Sequence, residues 1–425
     1  MAIGVVGASY GDEGKGKITD MLCQDADVCV RFQGGANAGH SVVNDRGEFA
    51  LHILPSGVFN PNTTNIIGNG VALNVNSLKK EIEELAAKGV NDFKLLISNR
   101  VQFVMSYHIL FDQLEEERLG KGGFGSTKSG IAPFYSDKAA KIGFAAFELY
   151  DTEEYIREKI RKILPQKNAI LTGLYNKEPI SEEDIYLELM SYKDYVAPYL
   201  SDTMTFIRRA EEEGKTVVLE GQLGSLRDPD FGIYPMTTSS SPLVNYAPIG
   251  CGILPSSIKR VVAVCKAYSS SVGTGYMVPK MKKDEEQLLR DKGGNGGEYG
   301  VTTGRPRDVA WIDTVSCAYG CEIQGATEAA LTCVDCLGYL DKIKVCVAYE
   351  IDGEMVERFP TTNRLKNAKP VYEELPGWKC SIKGISKYEE LPKECRNYIE
   401  FIEKKIGIHI SMVGVGPGRN DIITR

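Results

Sequence analysis

The chain lacks the features that place a protein in a membrane or on a nucleic acid. No apolar run in its 425 residues approaches the ~20 residues of a membrane-spanning helix, and no signal-peptide pattern precedes Gly4. Fifty lysines and arginines stand against 57 aspartates and glutamates, which gives a formal net charge of −7. This composition supplies no overall cationic field for nucleic acid or an anionic membrane, so we expect a soluble, cytoplasmic protein that binds neither.

Two familiar nucleotide-binding patterns are also missing. The pattern G-x-x-x-x-G-K-[ST] would need glycine where Ser9 stands and a hydroxyl residue where Gly16 stands. The pattern G-x-G-x-x-G is absent from the first loop, which disfavours a dinucleotide-binding oxidoreductase.

Cysteine is present but scattered. Eleven cysteines in a large chain without secretory features predict reduced thiols rather than a disulfide framework. Cys317, Cys321, Cys333 and Cys336 have a spacing that occurs in zinc sites. Their apolar, alanine-rich surroundings instead favour buried helix and turn, in which cysteine acts as a small hydrophobic residue.

The order of apolar runs and loops predicts an α/β protein. Five β-rich runs each precede a loop rich in Gly, Ser or Asn, and helical patterns lie between them, as in Leu78, Ile82 and Leu85 before Gly89. We therefore expect one catalytic domain over residues 1–425, with a largely parallel central sheet flanked by helices. A charged helical insertion is predicted at about 151–213, and a mobile loop at about 280–305.

The loop after the first predicted strand, Ile3 to Val6, combines groups that bind phosphate. Glycines allow backbone N–H groups to approach an anion, and lysines and a helix N-terminus add positive charge. The loop also carries two acidic residues, Asp12 and Glu13, and we expect Asp12 to help hold Mg²⁺ or to take a proton from a substrate. The glycines and lysines are Gly7, Gly11, Gly14, Gly16, Lys15 and Lys17.

Other segments carry complementary chemistry. In QGGANAGH, Asn37 can hydrogen-bond and His40 can donate a proton near neutral pH. Arg305 and Arg307 follow two threonines in TTGRPR, and such arginine forks suit a small dianionic substrate. Thr127 and neighbouring lysines, together with the hydroxyl run 237–241, suit a second phosphate. Together these groups indicate phosphoryl transfer from a nucleotide to a phosphorylated acceptor with a carboxylate co-substrate, as in a ligase.

The ordered motifs resemble those of the adenylosuccinate synthetases. They run from Gly11 to Arg419 and are GDEGKGK, QGGANAGH, TKSGIAPFYSDK, the EG-G-L-D-D-GIYP-TSS pattern, KAYSSSVGTG, TTGRPR, LTCVDCLGYLD, PVYEELPGW and GPGR. The resemblance implies a P-loop-NTPase-like fold and a GTP- and Mg²⁺-dependent ligation of L-aspartate to IMP. The products would be adenylosuccinate, GDP and phosphate, formed through 6-phosphoryl-IMP.

The resemblance also implies roles for individual residues. Asp12 would deprotonate N1 of IMP and His40 would act as acid on the transferred phosphoryl group, while Asp12 and Gly39 would bind Mg²⁺. The protein would be a homodimer in which Lys141 reaches the neighbouring site. Residues implied to bind GTP are Gly11, Glu13, Gly14, Lys15, Gly16, Lys17, Gly39, His40, Arg307, Asp335, Gly414 and Gly416. Those implied to bind IMP are Asp12, Asn37, Thr127, Lys141, Gln222, Thr238, Val272 and Arg305, and those implied to bind aspartate are Thr302, Thr303 and Arg305.

Four positions depart from the family pattern. Lys141 replaces an arginine, Gln222 precedes Leu223 where alanine then glutamine is usual, Cys333 replaces a lysine, and Gly414 replaces a serine. Guanine specificity therefore rests chiefly on Asp335, and ATP use stays open.

Two alternative functions remain. A sister ligase of the same family joins aspartate to a guanylate, often with ATP. It ranks second because such ligases lack the carboxylate that Asp12 provides in this sequence. A regulatory GTPase would not need the loop suited to aspartate.

Overall fold

The computed structural model of the protein describes residues 1–272, 275–293, 296–300 and 304–425. Thr302 and Thr303 lie outside these ranges. The strands are β1 (Ala2–Gly7), β2 (Val28–Arg31), β3 (His40–Asn44), β4 (Gly47–Leu51), β5 (Thr64–Ile67), β6 (Ala72–Leu73), β7 (Lys94–Ser98), β8 (Gln102–Phe103), β9 (Leu200–Ser201), β10 (Val217–Gly224), β11 (Ile258–Lys266), β12 (Ser269–Ser271), β13 (Asp308–Ala310), β14 (Ile312–Asp313), β15 (Glu328–Thr332), β16 (Lys342–Ile351), β17 (Glu354–Val356), β18 (Lys369–Pro376), β19 (Ile410–Gly414) and β20 (Ile422–Thr424). The helices are α1 (Lys15–Leu22), α2 (Val75–Ala87), α3 (Ser106–Leu119), α4 (Ile131–Ala140), α5 (Glu153–Gly173), α6 (Glu182–Val196), α7 (Thr203–Glu212), α8 (Ala247–Cys251), α9 (Lys283–Lys292), α10 (Thr314–Gln324), α11 (Thr362–Leu365) and α12 (Lys393–Ile406).

The largest sheet of the described structure has ten strands and forms the centre of the fold. Its strand order is β20-β19-β15-β11-β1-β10-β2-β5-β7-β9, and of these pairs only β19 with β20 is antiparallel in the described part of the chain. The prediction of a largely parallel sheet is thus confirmed. Strand β1 is buried along its whole length between β10 and β11, because its two faces pack against helices and loops on both sides of the sheet.

The carboxyl ends of six adjacent strands lie along one stretch of this sheet edge. Five of the six, β1, β2, β10, β11 and β19, are the apolar runs predicted to precede glycine-rich or polar loops. Ligands of open α/β sheets bind at this edge.

The sixth strand, β15, corrects the sequence interpretation. Residues 317–336 were expected to form buried helix and turn, but α10 ends at Gln324 and the chain then enters β15. Alanines favour a helix locally, whereas here they pair with β11 and β19 in the middle of the sheet.

Helix α2 and the helices of segment 151–213 follow their sequence signals, whereas α9 does not. In α2, Leu78 and Leu85 are buried, and Gly89 after the helix end adopts a left-handed φ of 82°. Segment 151–213 contains α5, α6 and α7, and the segment predicted as a loop at 280–305 contains the ten-residue helix α9. Among the described residues, no helix is both long enough and apolar enough to cross a membrane.

Candidate active site

A cleft of about 170 Å³ that opens to solvent lies at the carboxyl edge of the sheet. It is lined by the first loop, by β3, by the carboxyl ends of β10 and β11, by residues 297–299 and Arg307, and by the loops after β15 and β19. Predicted site residues that line it are Gly11, Asp12, Gly14, Lys15, Gly16, Lys17, Gly39, His40, Gln222, Arg307, Asp335 and Gly416. The fold therefore brings together groups that lie up to 405 positions apart in the chain, from Gly11 to Gly416.

Glu13 shapes the first loop from inside. Its carboxylate accepts hydrogen bonds from the backbone N–H groups of Ser9 (2.9 Å) and Gly11 (2.8 Å), and Lys15 Nζ donates to Glu13 Oε2 at 2.9 Å. Glu13 is 2% exposed, so its side chain is part of the loop rather than a group facing the cleft. Gly14, with φ of 86°, then starts α1 in a left-handed conformation that suits glycine.

Asp12 faces the cleft and begins a chain of alternating charges. Arg307 Nη2 lies 3.1 Å from Asp12 Oδ1, and Arg307 Nη1 lies 3.0 Å from Glu298 Oε2. Lys266 Nζ lies 2.6 Å from the other oxygen of Glu298. Burial alone would raise the pKa of Glu298, but the charges of Lys266 and Arg307 lower it to about 2. Glu298 is therefore ionised at neutral pH.

His40 lies at the start of β3, against the first turn of α1. A side chain at Gly16 would collide with the His40 ring, so this close approach requires glycine. His40 Nε2 is 2.9 Å from Ser56 Oγ and 3.4 Å from Glu220 Oε1, and Ser56 Oγ donates to Glu220 at 2.7 Å. Burial, together with the nearby cations Arg31 and Lys15, lowers the pKa of His40 well below its ordinary value. The imidazole is therefore neutral, and because Ser56 Oγ donates to Glu220, its single N–H is Nε2–H, which donates to Ser56. Nδ1 is then an acceptor, so the ring must gain a proton before it can donate into the cleft.

The side chain of Gln222 braces the loop that carries Asn37 and His40. Its Nε2 donates to the carbonyl oxygens of Gly35 (2.7 Å) and Ala38 (2.9 Å), and its Oε1 accepts from Gly35 N–H at 2.9 Å. Both amide hydrogens are thus used within the protein, which leaves none for a substrate base. Leu223, the next residue, has a left-handed φ of 62° and lines the cleft.

The far end of the cleft is formed by the loops after β15 and β19. Lys17 Nζ donates to Gly416 O at 2.8 Å, and a Cβ at Gly414 would lie 2.8 Å from the same Nζ. Asp335 lines this end, and burial raises its pKa. A buried ion pair between Arg419 and Asp20, with N–O distances of 2.7 and 2.9 Å, fixes the β19 loop to α1.

Arg227 joins two segments that were predicted to bind IMP. Its guanidinium donates to Met236 O (2.7 Å), Ser271 Oγ (2.6 Å) and Val272 O (3.2 Å). Its own carbonyl oxygen accepts from Thr238 N–H at 2.9 Å. Arg227 is 9% exposed and therefore determines where Thr238 and Val272 lie.

Arg305 and Lys141, two further predicted residues, do not line the cleft. Arg305 is exposed, and its Nη2 donates to Ser126 O at 3.1 Å, which places it beside Thr127. Lys141 is exposed and follows α4 with a left-handed φ of 66°.

Two of the predicted site residues each have a buried polar atom without a hydrogen-bond partner among the described residues. Asn37 Oδ1 and Arg307 Nε are buried and lack a hydrogen-bond partner within the described ranges, a state that a bound ligand would relieve.

Sequence reasoning did not assign several residues of the site. Lys266 begins the motif KAYSSSVGTG and Glu298 lies in the segment 280–305, but no role follows from their spacing because their pairing depends on the fold. Thr332 ends β15, and its hydroxyl donates to Glu13 O at 2.6 Å. Position at the end of a parallel strand is the signal that would have identified Lys266 and Thr332.

The side chains around the cleft determine which metal ions it could bind. No cluster of three or more His, Cys, Asp or Glu side chains suited to a metal occurs in the part of the chain that is described. Mg²⁺ is commonly held by one or two carboxylates together with substrate phosphates and water, so the single carboxylate of Asp12 and the backbone at Gly39 fit it.

A glycine-rich loop at the edge of a parallel sheet, with Asp12, His40 and Arg307 around one cleft, is typical of a nucleotide-dependent phosphoryl-transfer enzyme. The adenylosuccinate synthetase family model matches residues 4–423, and the chain belongs to this family of ligases. It is 44% identical over 420 residues to an adenylosuccinate synthetase of Dehalococcoides mccartyi, covering 99% of this chain and 98% of the relative. It is 42% identical over 416 residues to the Streptococcus sanguinis protein of the same name, covering 98% and 96%.

Solved structures give the same result. The fully ligated adenylosuccinate synthetase of Plasmodium falciparum superposes with a TM-score of 0.91 at 35% identity, covering 100% of this chain and 99% of that one. The cyanophage S-2L succinoaminodeoxyadenylate synthetase, bound to dGMP and dATP, reaches a TM-score of 0.58 at 18% identity and covers 100% and 95%. The second match shows a shared fold alone.

Proposed function

We propose that the chain joins L-aspartate to IMP at the expense of GTP and gives adenylosuccinate, GDP and phosphate. The observation that carries this proposal is that Asp12 and His40 line the same cleft as the glycine-rich N-terminus of α1. A base for the purine and a hydrogen-bond donor for the phosphoryl group thus lie beside a site for the triphosphate.

In the first step Asp12 acts as the general base. It takes the proton from N1 of IMP, and O6 attacks the γ-phosphorus while the bond to the β-phosphate oxygen breaks. The contact with Arg307, at 3.1 Å, holds the Asp12 carboxylate in place before IMP binds. Arg307 must release Asp12 during this step, and the γ-phosphate offers the guanidinium an equivalent partner.

His40 assists the same step from the phosphate side. The negative charge of bound GTP favours protonation of the ring, and the protonated ring can then donate from Nδ1 to the transferred group and act as an acid. Ser56 and Glu220 act as positioning residues for the imidazole.

In the second step the amine of aspartate attacks C6 and phosphate leaves. Arg305 binds a carboxylate of aspartate from its position beside Thr127, and the predicted roles of Thr302 and Thr303 at that site remain predictions. We assign Asn37, Thr127, Thr238 and Val272 to IMP, and Gln222 and Arg227 to positioning.

GTP lies along the cleft from α1 to Asp335. The backbone of residues 14–17 and the ammonium groups of Lys15 and Lys17 bind its phosphates, while Asp335 pairs with guanine. Mg²⁺ held by Asp12 and Gly39 neutralises charge on the β- and γ-phosphates when it is bound. A cytoplasmic homodimer, with Lys141 contacting the phosphate of IMP in the neighbouring subunit, completes the proposal.

The decisive experiment is a substrate matrix. Purified protein is incubated with IMP or dGMP, each with GTP or ATP, with and without aspartate, and products are separated by chromatography. We expect adenylosuccinate only when IMP and aspartate are both present. A ligation product that forms with dGMP but not with IMP would establish the sister ligase instead. Phosphate release that does not depend on aspartate would establish a GTPase.

A further inference from the structure

Two cysteines lie together at the Asp335 end of the cleft. Nine of the eleven cysteines are buried, and the two that reach solvent are Cys333 and Cys380. Cys333 lines the cleft together with Cys336, three residues further along the chain. The mechanism proposed above uses neither thiol.

The backbone places the two thiols within bonding reach. Cys333 has a left-handed φ of 57° and begins the 3₁₀ turn Val334–Leu337. The N–H of Cys336 donates to Cys333 O at 3.3 Å, which closes a single turn between them. The ends of such a turn lie within about 7 Å of each other, and the Cα atoms of a disulfide are about 4.4–6.8 Å apart.

The surroundings divide the two thiols into a nucleophile and a donor. A hydrogen bond from Cys336 and the positive charges of Lys266 and Lys17 lower the pKa of Cys333 to about 7, although burial and Glu298 oppose this. The same hydrogen bond and burial raise the pKa of Cys336 well above its ordinary value. Cys333 is therefore substantially a thiolate at neutral pH, and the thiolate is the reactive form.

We propose that Cys333 and Cys336 form a dithiol modification site that small disulfides oxidise, and that this modification and nucleotide binding exclude each other. The first part stands on the cleft geometry alone. The second part rests on the proposed function, because it assumes that the base of GTP occupies the end of the cleft beside Asp335.

The reaction is a two-step thiol–disulfide exchange. The Cys333 thiolate attacks one sulfur of a small disulfide and expels the other half as a thiolate, which leaves a mixed disulfide. The Cys336 thiol loses its proton to solvent and attacks the sulfur of Cys333, which expels the second half of the reagent. The protein loses two hydrogens, and one disulfide molecule is reduced to two thiols.

The first test measures selectivity. The intact protein is treated with bis(2-hydroxyethyl) disulfide at pH 7, quenched in acid and mapped by mass spectrometry. We expect an intramolecular Cys333–Cys336 disulfide that dithiothreitol reverses. Iodoacetamide should label Cys333 with a pH midpoint near 7. Labelling at Cys380 alone, or no Cys333–Cys336 link, would overturn the proposal.

Three variants separate the steps. Cys336→Ser should stop at the mixed disulfide on Cys333, with a mass gain of one reagent half. Cys333→Ser should abolish both products. Cys380→Ser is the matched control, since Cys380 is exposed and does not line the cleft, and it should react as the wild type does. Circular dichroism confirms that each variant is folded, and a folded Cys336→Ser protein that still forms an intramolecular link would contradict the assignment.

The second test uses GDP as the probe. Saturating GDP should slow iodoacetamide labelling of Cys333 about tenfold or more, and oxidation should reduce binding of a fluorescent GDP analogue by a similar factor until reductant is added. GDP that binds but does not protect Cys333 would overturn the exclusion. If GDP does not bind the reduced protein, the proposed function fails, while the selectivity test still decides the dithiol site.

Discussion

The two ends of the reaction site are built in different ways. The phosphate end is local, because Glu13 bonds to Ser9, Gly11 and Lys15, all within four positions of it. The acceptor end is distributed, because Arg227 and Arg305 connect segments around Thr238, Val272 and Ser126 that lie far apart in sequence. A local network is readable from a motif, whereas a distributed one depends on the whole fold.

The largest expected effect is at the phosphate end, with Asp12→Asn. Loss of the general base should lower kcat by roughly 10³-fold or more, while GTP binding changes by less than about threefold. Steady-state kinetics and nucleotide titration measure the two effects. Activity near that of the wild type would remove Asp12 from its role as base.

Glu298→Gln tests the charge chain that holds Asp12 and Arg307. A carboxylate whose pKa falls from 4.5 to about 2 stabilises the folded state above pH 4.5, and this contribution is lost as the pH falls towards 2. The variant should therefore be less stable than the wild type at pH 7, by roughly 3 kcal/mol at most, and the two should converge in acid. Urea unfolding at several pH values measures this difference. The control Glu374→Gln breaks an exposed ion pair with Lys342 and should change stability by less than about 0.5 kcal/mol.

Arg305→Leu tests the aspartate end of the acceptor region. Loss of a guanidinium that binds a carboxylate should raise KM for aspartate by roughly 10²-fold and KM for IMP much less. Initial rates with one substrate varied at a time separate the two constants. Equal increases in both would mean that Arg305 does not bind aspartate specifically.

Arg227→Met tests whether a buried positioning residue controls the IMP site. The hydrogen bonds to Val272 and Ser271 are lost, so KM for IMP should rise about tenfold with a smaller change in kcat. Arg227→Lys should restore part of this loss. Arg260→Met, which removes an ion pair with Glu328 remote from the cleft, is the matched control. A fall in thermal stability with unchanged KM would make Arg227 purely structural.

The smallest effect is expected at Lys141. Lys141 is exposed and does not line the cleft of its own chain. Lys141→Ala should therefore raise KM for IMP only about threefold to fivefold. Analytical ultracentrifugation shows whether the active species is a dimer. A fully active monomer would exclude a contribution from a neighbouring subunit.

Most of the sheet could be predicted from sequence because buried parallel strands appear as apolar runs before glycine-rich loops. Strand β15 could not, since its alanines favour a helix unless neighbouring strands pair with it. The groups of the first loop were predicted, but the inward turn of Glu13 and the outward turn of Asp12 are decided by backbone geometry. The roles of Arg227, Lys266 and Glu298 follow only from tertiary contacts.

The ion pair between Asp20 and Arg419 joins residues 399 positions apart. During synthesis on a ribosome, α1 is made long before Arg419, the residue that pairs with it. Strand β1 likewise pairs with β10, which begins only at Val217. A nascent chain therefore has its glycine-rich loop long before the contacts that fix this loop can form, and the cleft is complete only after Arg419 has been made.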